Sequence, residues 1–228
     1  MEQETIATIR RKKPKAGEPV WELATLFPHQ GTWTVEDYLS LDTGRLIEYV
    51  DGFLEFPPIP TMAHQDILLF LYELLKAYVV MNGLGKVYVA PIPVRLGSRQ
   101  YREPDVFFVS TQRVAEAEGK YPSGADLVME VVSGNRSDRV RDLVHKRRDY
   151  AHAGIPEYWT VDPDEATITV LRLEDDEYTE HGRFGAGQQA TSHLLPGFAV
   201  SVDEVLSLIH ISEPTRRTPI SYAVFCLK

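Results

Sequence analysis

Two short apolar runs each hold a carboxylate where a buried strand calls for hydrocarbon. They are Pro104-Asp105-Val106-Phe107-Phe108-Val109 and Leu127-Val128-Met129-Glu130-Val131-Val132. Both are short, rich in β-branched and aromatic residues, and apolar at successive positions, the pattern of central strands covered on both faces. An acid there costs several kcal/mol unless a metal, a cation or hydrogen-bond donors compensate it. The fold must therefore bring compensating charge to Asp105 and Glu130. A helix beginning near Asp138 can supply it. Val140, Leu143, Val144 and Ala151 mark the helix, and Gly154 ends it. Asp142, Lys146 and Tyr150 are spaced by four, so they form one stripe beside its buried face. Two strand acids and a helical lysine are the makings of a divalent-metal site.

The surrounding chain reads as alternating strands and helices. Thr34 with Asp37 three residues on predicts a capped helix through Leu41. Leu46 to Val50, the pair Asp51-Gly52, and Phe53 to Phe56 predict a tight hairpin, closed off by Pro57-Pro58-Ile59-Pro60. Ile67, Leu68, Leu71, Leu74, Leu75, Tyr78 and Val79 repeat at helical spacing, with Asn82-Gly83 as the stop. Val87 to Leu96 reads as one strand, at an edge or bulged because of Pro91 and Pro93. A polar helix or loop follows at 112–119, and Ser133-Gly134-Asn135 makes a turn. Tyr158 to Val161 and Thr167 to Leu173 are further strands, then a short meander to Phe198 and a helical turn over Val202 to Leu206. This order predicts an α/β fold: one domain over 21–205 with a mixed β-sheet flanked by helices.

Composition narrows the function classes. A chain of 228 residues, 43% apolar, can bury one sizeable core. No apolar run reaches the ~18 residues of a membrane span, and Met1 to Glu4 has no hydrophobic signal region, so a cytoplasmic protein without membrane contact is expected. The net charge of −9 argues against broad affinity for nucleic acid, so any such binding has to come from a local basic face. The arginines from Arg136 to Arg148 form one near the candidate site, unless they merely balance nearby acids. Residues 1–20, with Arg10 to Lys13, read as a basic N-terminal arm. At the other end, Leu206 to Arg216 and Ile220 to Lys228 resemble the translated ends of a transposase-based sequencing adapter. On that reading residues 206–228 are an artefactual tail. The only cysteine, Cys226, falls in it, which leaves no disulfide, thiol catalysis or cysteine-zinc site. No Walker-type phosphate loop, His-Glu-x-x-His helix or Gly-x-Ser-x-Gly elbow is present.

The order hairpin, helix, Pro-Asp strand, Glu strand, Lys helix resembles the PD-(D/E)xK nuclease superfamily. More closely it resembles a bacterial restriction-endonuclease-like family, the Uma-two (Uma2) type. The residues that carry the likeness are Glu48 to Gly52, His64-Gln65, Pro104-Asp105-Val106, Glu130 to Ser133, Asp142 to Lys146, Tyr150, Gly154 to Trp159 and Leu195-Pro196-Gly197, across roughly 33–205. The resemblance implies a restriction-endonuclease-like fold and an Mg²⁺-dependent endonuclease, with Mn²⁺ as a substitute, hydrolysing DNA. It implies Asp105, Glu130 and Lys146 as catalytic residues, with Asp105, Glu130, the Val131 carbonyl and Glu48 toward the metal. His64, Gln65, Asp142 and Tyr150 would be accessory. The family's lysine belongs two residues after the glutamate. Val132 stands there, and Lys146 would reach the same cleft from the helix. Cutting a duplex calls for two sites, hence a homodimer.

Plainer roles stay open for several of these residues. Asp105 can cap a strand start, Glu48 can pair with a cation, His64 can cap its helix and Lys146 can be one more surface charge. Tyr49, Tyr158 and Trp159 are most simply core aromatics. The rival function is a catalytically inactive module of the same fold that binds nucleic acid or a protein partner.

Overall fold

The central runs do form strands buried on both faces. The structure, a computed structural model, describes residues 27–42, 45–116, 120–132 and 136–208. The N-terminal arm, the 133–135 turn and residues 209–228 lie outside the described part. In chain order the elements are α1 (Val35–Leu39), β1 (Glu48–Val50), β2 (Phe53–Glu55), α2 (Met62–Met81), β3 (Gly85–Val89), β4 (Val94–Gly97), β5 (Gln100–Arg102), β6 (Val106–Ser110) and α3 (Thr111–Glu116). There follow β7 (Leu127–Val131), α4 (Arg136–Val140), a π-helical segment (Arg141–Lys146), α5 (Arg147–His152), β8 (Glu157–Asp162), β9 (Thr167–Glu174), β10 (Glu177–Phe184), β11 (Gln189–Thr191), β12 (Ala199–Ser201) and α6 (Val202–Ser207).

Six strands make the main sheet in the order β10-β9-β8-β7-β6-β3. β7 and β8 are parallel and the other pairs antiparallel, so the sheet is mixed. The helical rod from α4 to α5 provides the crossover that a parallel pair requires. Alternate residues serve the two faces. Val106, Phe108, Leu127, Met129 and Trp159 pack with Ile67, Leu71, Leu75 and Val79 of α2. Each of those α2 side chains, removed from water, contributes about 1.5–3 kcal/mol. Phe107, Val109, Val128 and Tyr158 face Tyr150, Ile155 and Tyr178 on the other side. Glu130 shares the parity of Val128, so it points to the Tyr150 side.

A second sheet, β2-β1-β5-β4, carries the hairpin. The Asp51-Gly52 turn has positive φ at both residues, 48° and 91°, as a type I′ hairpin turn requires. A Cβ at Gly52 would lie 2.5 Å from the Gly31 carbonyl oxygen, so a side chain there is excluded. Behind this sheet Trp33, Tyr38, Ile47, Tyr49, Leu54 and Tyr101 form a small aromatic core. Thr34 and Asp37 form the expected capping box, although α1 ends at Leu39 rather than Leu41.

Two expectations are corrected. Val87 to Leu96 is two strands in two different sheets, β3 and β4, divided at Ala90-Pro91-Ile92-Pro93. Proline has no N–H for a ladder, and here two prolines end the pairing; β3 and β4 each lie at the edge of their sheet, as expected. The helix after Asp138 is also turned differently from its apolar pattern. Val140 and Val144 are exposed, whereas Asp138, Asp142, Lys146, Asp149 and Tyr150 are buried. The polar stripe is itself the buried face, because the sheet it meets presents charge. The centre of the rod is π-helical, a geometry concentrated at functional sites. At the chain's far end α6 runs to Ser207, and Leu206 and Leu208 pack against the main core.

Candidate active site

A cleft of about 490 Å³ opens where the first turn of α2, the β5–β6 connection, the end of β7 and the π-helical segment meet. Glu130 lies in its floor, only 2% exposed. Its Oε1 accepts the Tyr150 hydroxyl at 2.6 Å and its Oε2 the Lys146 ammonium at 2.8 Å. The same ammonium lies 3.3 Å from Glu48 Oε1 and 3.8 Å from Asp142 Oδ1. One cation is thus shared among three acids.

Asp105 immediately precedes β6, and its backbone carbonyl accepts the Ala90 amide at 3.2 Å. Its Oδ2 accepts the Val131 amide at 2.7 Å, which ties it to the strand of Glu130. His64 Nε2 lies 3.2 Å from the same oxygen. His64 is not the cap of its helix. Thr61 caps α2 by accepting the His64 amide on its hydroxyl, and the imidazole faces the cleft.

Behind the floor is a second buried cation, Arg102. It donates to Glu48 at 2.7 Å, to Asp149 at 2.7 and 3.1 Å, and to Glu55. Glu48 has its Oε2 on Arg102, while its Oε1 takes the Glu103 amide and Lys146. It is fully buried between the two cations, and it supports Lys146 from beneath. Arg102 thereby bolts the hairpin sheet to α5. Charge pairs this deep contribute geometry more than net stability, yet deleting one partner strands the other.

The electrostatics follow from one ammonium among several acids. Burial pushes the Glu130 carboxyl up; the shared Lys146 pulls it down, Asp105, Asp142 and Glu48 push it up again, and the net shift is upward. Asp142 is likewise raised by burial against the pull of Lys146 and Arg141. Glu48 goes the other way. Burial would raise it, but Lys146 and Arg102 hold it below the usual range. Burial would lower Lys146, but Glu130, Glu48 and Asp142 hold it well above the ordinary lysine range, so it is an ammonium and a donor. Tyr150 stays a phenol for the same reasons of burial and the nearby Glu130. Burial opposes charge on His64, and its contact with Asp105 nonetheless raises it.

Of the residues singled out in the sequence, Asp105, Glu130, Val131, Lys146 and Asp142 line one cleft, as do His64 and Gln65. Glu48 and Tyr150 lie behind it, in contact with Lys146 and Glu130 respectively. The arginines of the helical rod are largely occupied. Arg139 is bidentate to Asp162, Arg141 holds Asp138 and Asp142, Arg147 donates to the Tyr178 carbonyl and Arg148 to Asp149. Arg139, Arg141 and Arg148 thus pair with acids of their own neighbourhood, and Arg147 with a backbone carbonyl. Two residues escaped sequence reasoning. Arg102 was one arginine among many, and Glu103 sat unremarked beside Pro104-Asp105. Glu103 lines the cleft, and its Oε2 is buried without a hydrogen-bond partner among the described residues.

Residues 35–203 match the family model described as "Uma2: Putative restriction endonuclease". The fold is similar to the crystal structure of a "putative nuclease belonging to DUF820" from Anabaena variabilis ATCC 29413. The TM-score is 0.62 at 18% identity, over 78% of this chain and 99% of that one, a likeness of fold. No curated protein sequence matched. Among the described residues no helix is long and apolar enough to cross a membrane. The matched span takes in the hairpin, the Asp105 and Glu130 strands and the Lys146 helix together, and the chain belongs to the Uma2 family of restriction-endonuclease-like proteins.

Proposed function

We propose that the protein is an Mg²⁺-dependent endonuclease hydrolysing DNA phosphodiester bonds, with Asp105, Glu130 and Lys146 as its catalytic residues. The observation that carries this is the Lys146 ammonium, 2.8 Å from Glu130 on the cleft floor that Asp105 also lines. The donor set suits Mg²⁺. Among the described residues no three His, Cys, Asp or Glu side chains are arranged as a metal cage. Mg²⁺ does not need one, since it keeps several waters and takes one or two carboxylates plus substrate oxygens. Asp105 and Glu130 supply those carboxylates, and the Val131 carbonyl is the natural third donor. Four acids, Glu103, Asp105, Glu130 and Asp142, line the cleft, and a divalent cation would suit their combined charge.

Mg²⁺ or Mn²⁺ would supply a coordinated water of lowered pKa and offset charge on the phosphoryl oxygens. The chain's own groups do the rest. Lys146, as an ammonium, donates to the attacking water or a phosphate oxygen. Tyr150 fixes the rotamer of Glu130, Asp142 and Glu48 steady Lys146, and His64 steadies Asp105 beside Gln65. Glu48 acts through Lys146 more readily than as a ligand, because it is fully buried and does not line the cleft.

One observation favours the rival, a catalytically silent module of this fold. Both oxygens of Glu130 are already hydrogen-bonded. Calorimetry with Mg²⁺ and Mn²⁺, run beside relaxation of supercoiled plasmid, separates the two readings. Metal binding and nicking that vanish in Asp105→Ala and Glu130→Ala are expected. Absence of both in the wild type would leave the silent module.

A further inference from the structure

The cleft has a side that phosphodiester chemistry does not use. Beyond β2 the chain runs through Phe56-Pro57-Pro58-Ile59-Pro60, and all five line the same cleft as Asp105, Glu130 and Lys146. Ile59 is 91% exposed and Phe56 58%. Large apolar side chains left in water along a cleft mark a binding surface when they cluster. Three prolines restrict the segment to extended conformations, so it offers those side chains without further ordering on binding. Buried Leu54 and Tyr49 anchor the hairpin it extends.

The occupant has to suit both parts of the cleft. On the nuclease reading the floor receives a phosphate: Asp105 and Glu130 would hold the metal there, and the Lys146 ammonium lies 2.8 Å from Glu130 on the same floor. The lip offers a flat aromatic face, an aliphatic face and proline rings, which suit a planar apolar group. A nucleotide has both parts. A duplex offers only one, since its base faces are hidden in the stack and its outside is phosphate and groove edges. A duplex is also held by cations along its backbone, yet Arg139, Arg141, Arg147 and Arg148 are engaged within the chain, whose net charge is −9. The volume, about 490 Å³, is that of a site for one compact ligand, the scale of a nucleotide or two.

We infer that the cleft takes an unpaired nucleotide, with its base stacked on Phe56 and packed against Ile59 and its phosphate toward Lys146. The substrate class is then single-stranded DNA, or the unpaired strand of a branched or frayed end. This rests on the nuclease reading and specifies its substrate.

The test is fluorescence anisotropy with three labelled probes, Ca²⁺ replacing Mg²⁺ to suppress hydrolysis. They are a twelve-residue oligo(dT), a hairpin duplex of matched length, and a twelve-residue strand of abasic sugars. Oligo(dT) should bind about tenfold more tightly than the duplex, and Phe56→Ala and Ile59→Ser should each weaken it by roughly five- to tenfold. The abasic strand should be indifferent to both substitutions. Equal or tighter duplex binding would overturn the inference, as would oligo(dT) binding unchanged in Phe56→Ala. So would a dimer in sedimentation that Ile59→Ser dissociates, for the lip would then be an interface between copies. If the wild type nicks plasmid while the lip variants change nothing, this inference falls alone. If no probe is bound and no DNA is cut with Mg²⁺, the nuclease reading falls and takes the inference with it.

Discussion

Glu130 and Glu157 are buried acids on neighbouring parallel strands, and they are held in opposite ways. Glu157 opens β8 and points to the face covered by α2, while Glu130 sits near the end of β7 on the other face. Glu157 is fully buried, and all its partners are neutral. Its Oε1 accepts the Trp159 indole N–H at 2.6 Å and the Ser192 hydroxyl at 2.7 Å, and its Oε2 accepts the amides of His193 and Leu194, each at 2.7 Å. Four donors, two of them backbone amides, saturate it, and it fastens the 192–194 loop to the sheet. Glu130 has two side-chain donors, one a shared cation, and Asp105, Asp142 and Glu48 around it. Glu157 is satisfied, whereas Glu130 is left with unmet electrostatic demand at the edge of a cleft, as its proposed role requires. Burial alone does not tell them apart.

Exchanging each acid for its amide sharpens this contrast. Glu130→Gln keeps the shape and relieves the excess of acid. It should cut plasmid nicking by about a hundred- to a thousandfold while the urea midpoint scarcely moves. Glu157→Gln should do the reverse. A carboxamide has one acceptor oxygen and turns its own N–H groups toward existing donors, so unfolding should become easier by about 2–4 kcal/mol. Residual activity per folded molecule should stay near wild type. Equal stability losses in the two variants would break the distinction.

Tyr150→Phe probes the support of Glu130 alone. It removes one donor from a buried carboxylate and should cost about 1–2 kcal/mol in urea unfolding. Loss of that donor also favours the protonated acid, so the pH at which nicking becomes half-maximal should move upward. A shift downward would mean that Tyr150 is not what steadies the carboxylate.

The sequence made one of these two glutamates visible and hid the other, for a physical reason. Glu130 interrupts Val128-Met129 and Val131-Val132, so its cost shows in a window of five residues, and Lys146 lies one helix on. Glu157 stands before Tyr158-Trp159, and three of its four donors come from residues 192–194, a loop with no local mark of what it caps. Arg102 was illegible in the same way, because its burial depends on Glu48, Glu55 and Asp149, which lie far apart in the chain. The hairpin was legible because Asp51-Gly52 determines its own turn. The helical rod misled, since Val140 and Val144 suggested the buried face while the charged stripe was the one that packed. Apolar periodicity identifies a buried face only when the partner surface is apolar, and here the partner is the acid floor.

Glu103 is another buried glutamate, intermediate between Glu130 and Glu157, and it gives the smallest of these effects. Burial raises its carboxyl from 4.5 to about 7, with Glu48 adding to the rise and a hydrogen bond from the Ile47 backbone opposing it. The fold thus holds a proton that the unfolded chain releases near pH 4.5. Its contribution to stability is fully present below that pH and is lost as the pH rises through about 7. Glu130 and Asp142, also raised, act in the same direction, and His64 loses its contribution only above 6.5, so the slope of the wild type is shared. The difference from Glu103→Gln isolates one group. Without divalent metal, urea unfolding of the wild type between pH 4.5 and 7 should fall more steeply than that of the variant. Allowing for solvent screening of a side chain that borders the cleft, the gap should reach about 1 kcal/mol. Parallel curves would mean that Glu103 is as well satisfied as Glu157, through a partner that the buried oxygen acquires from solvent in the cleft.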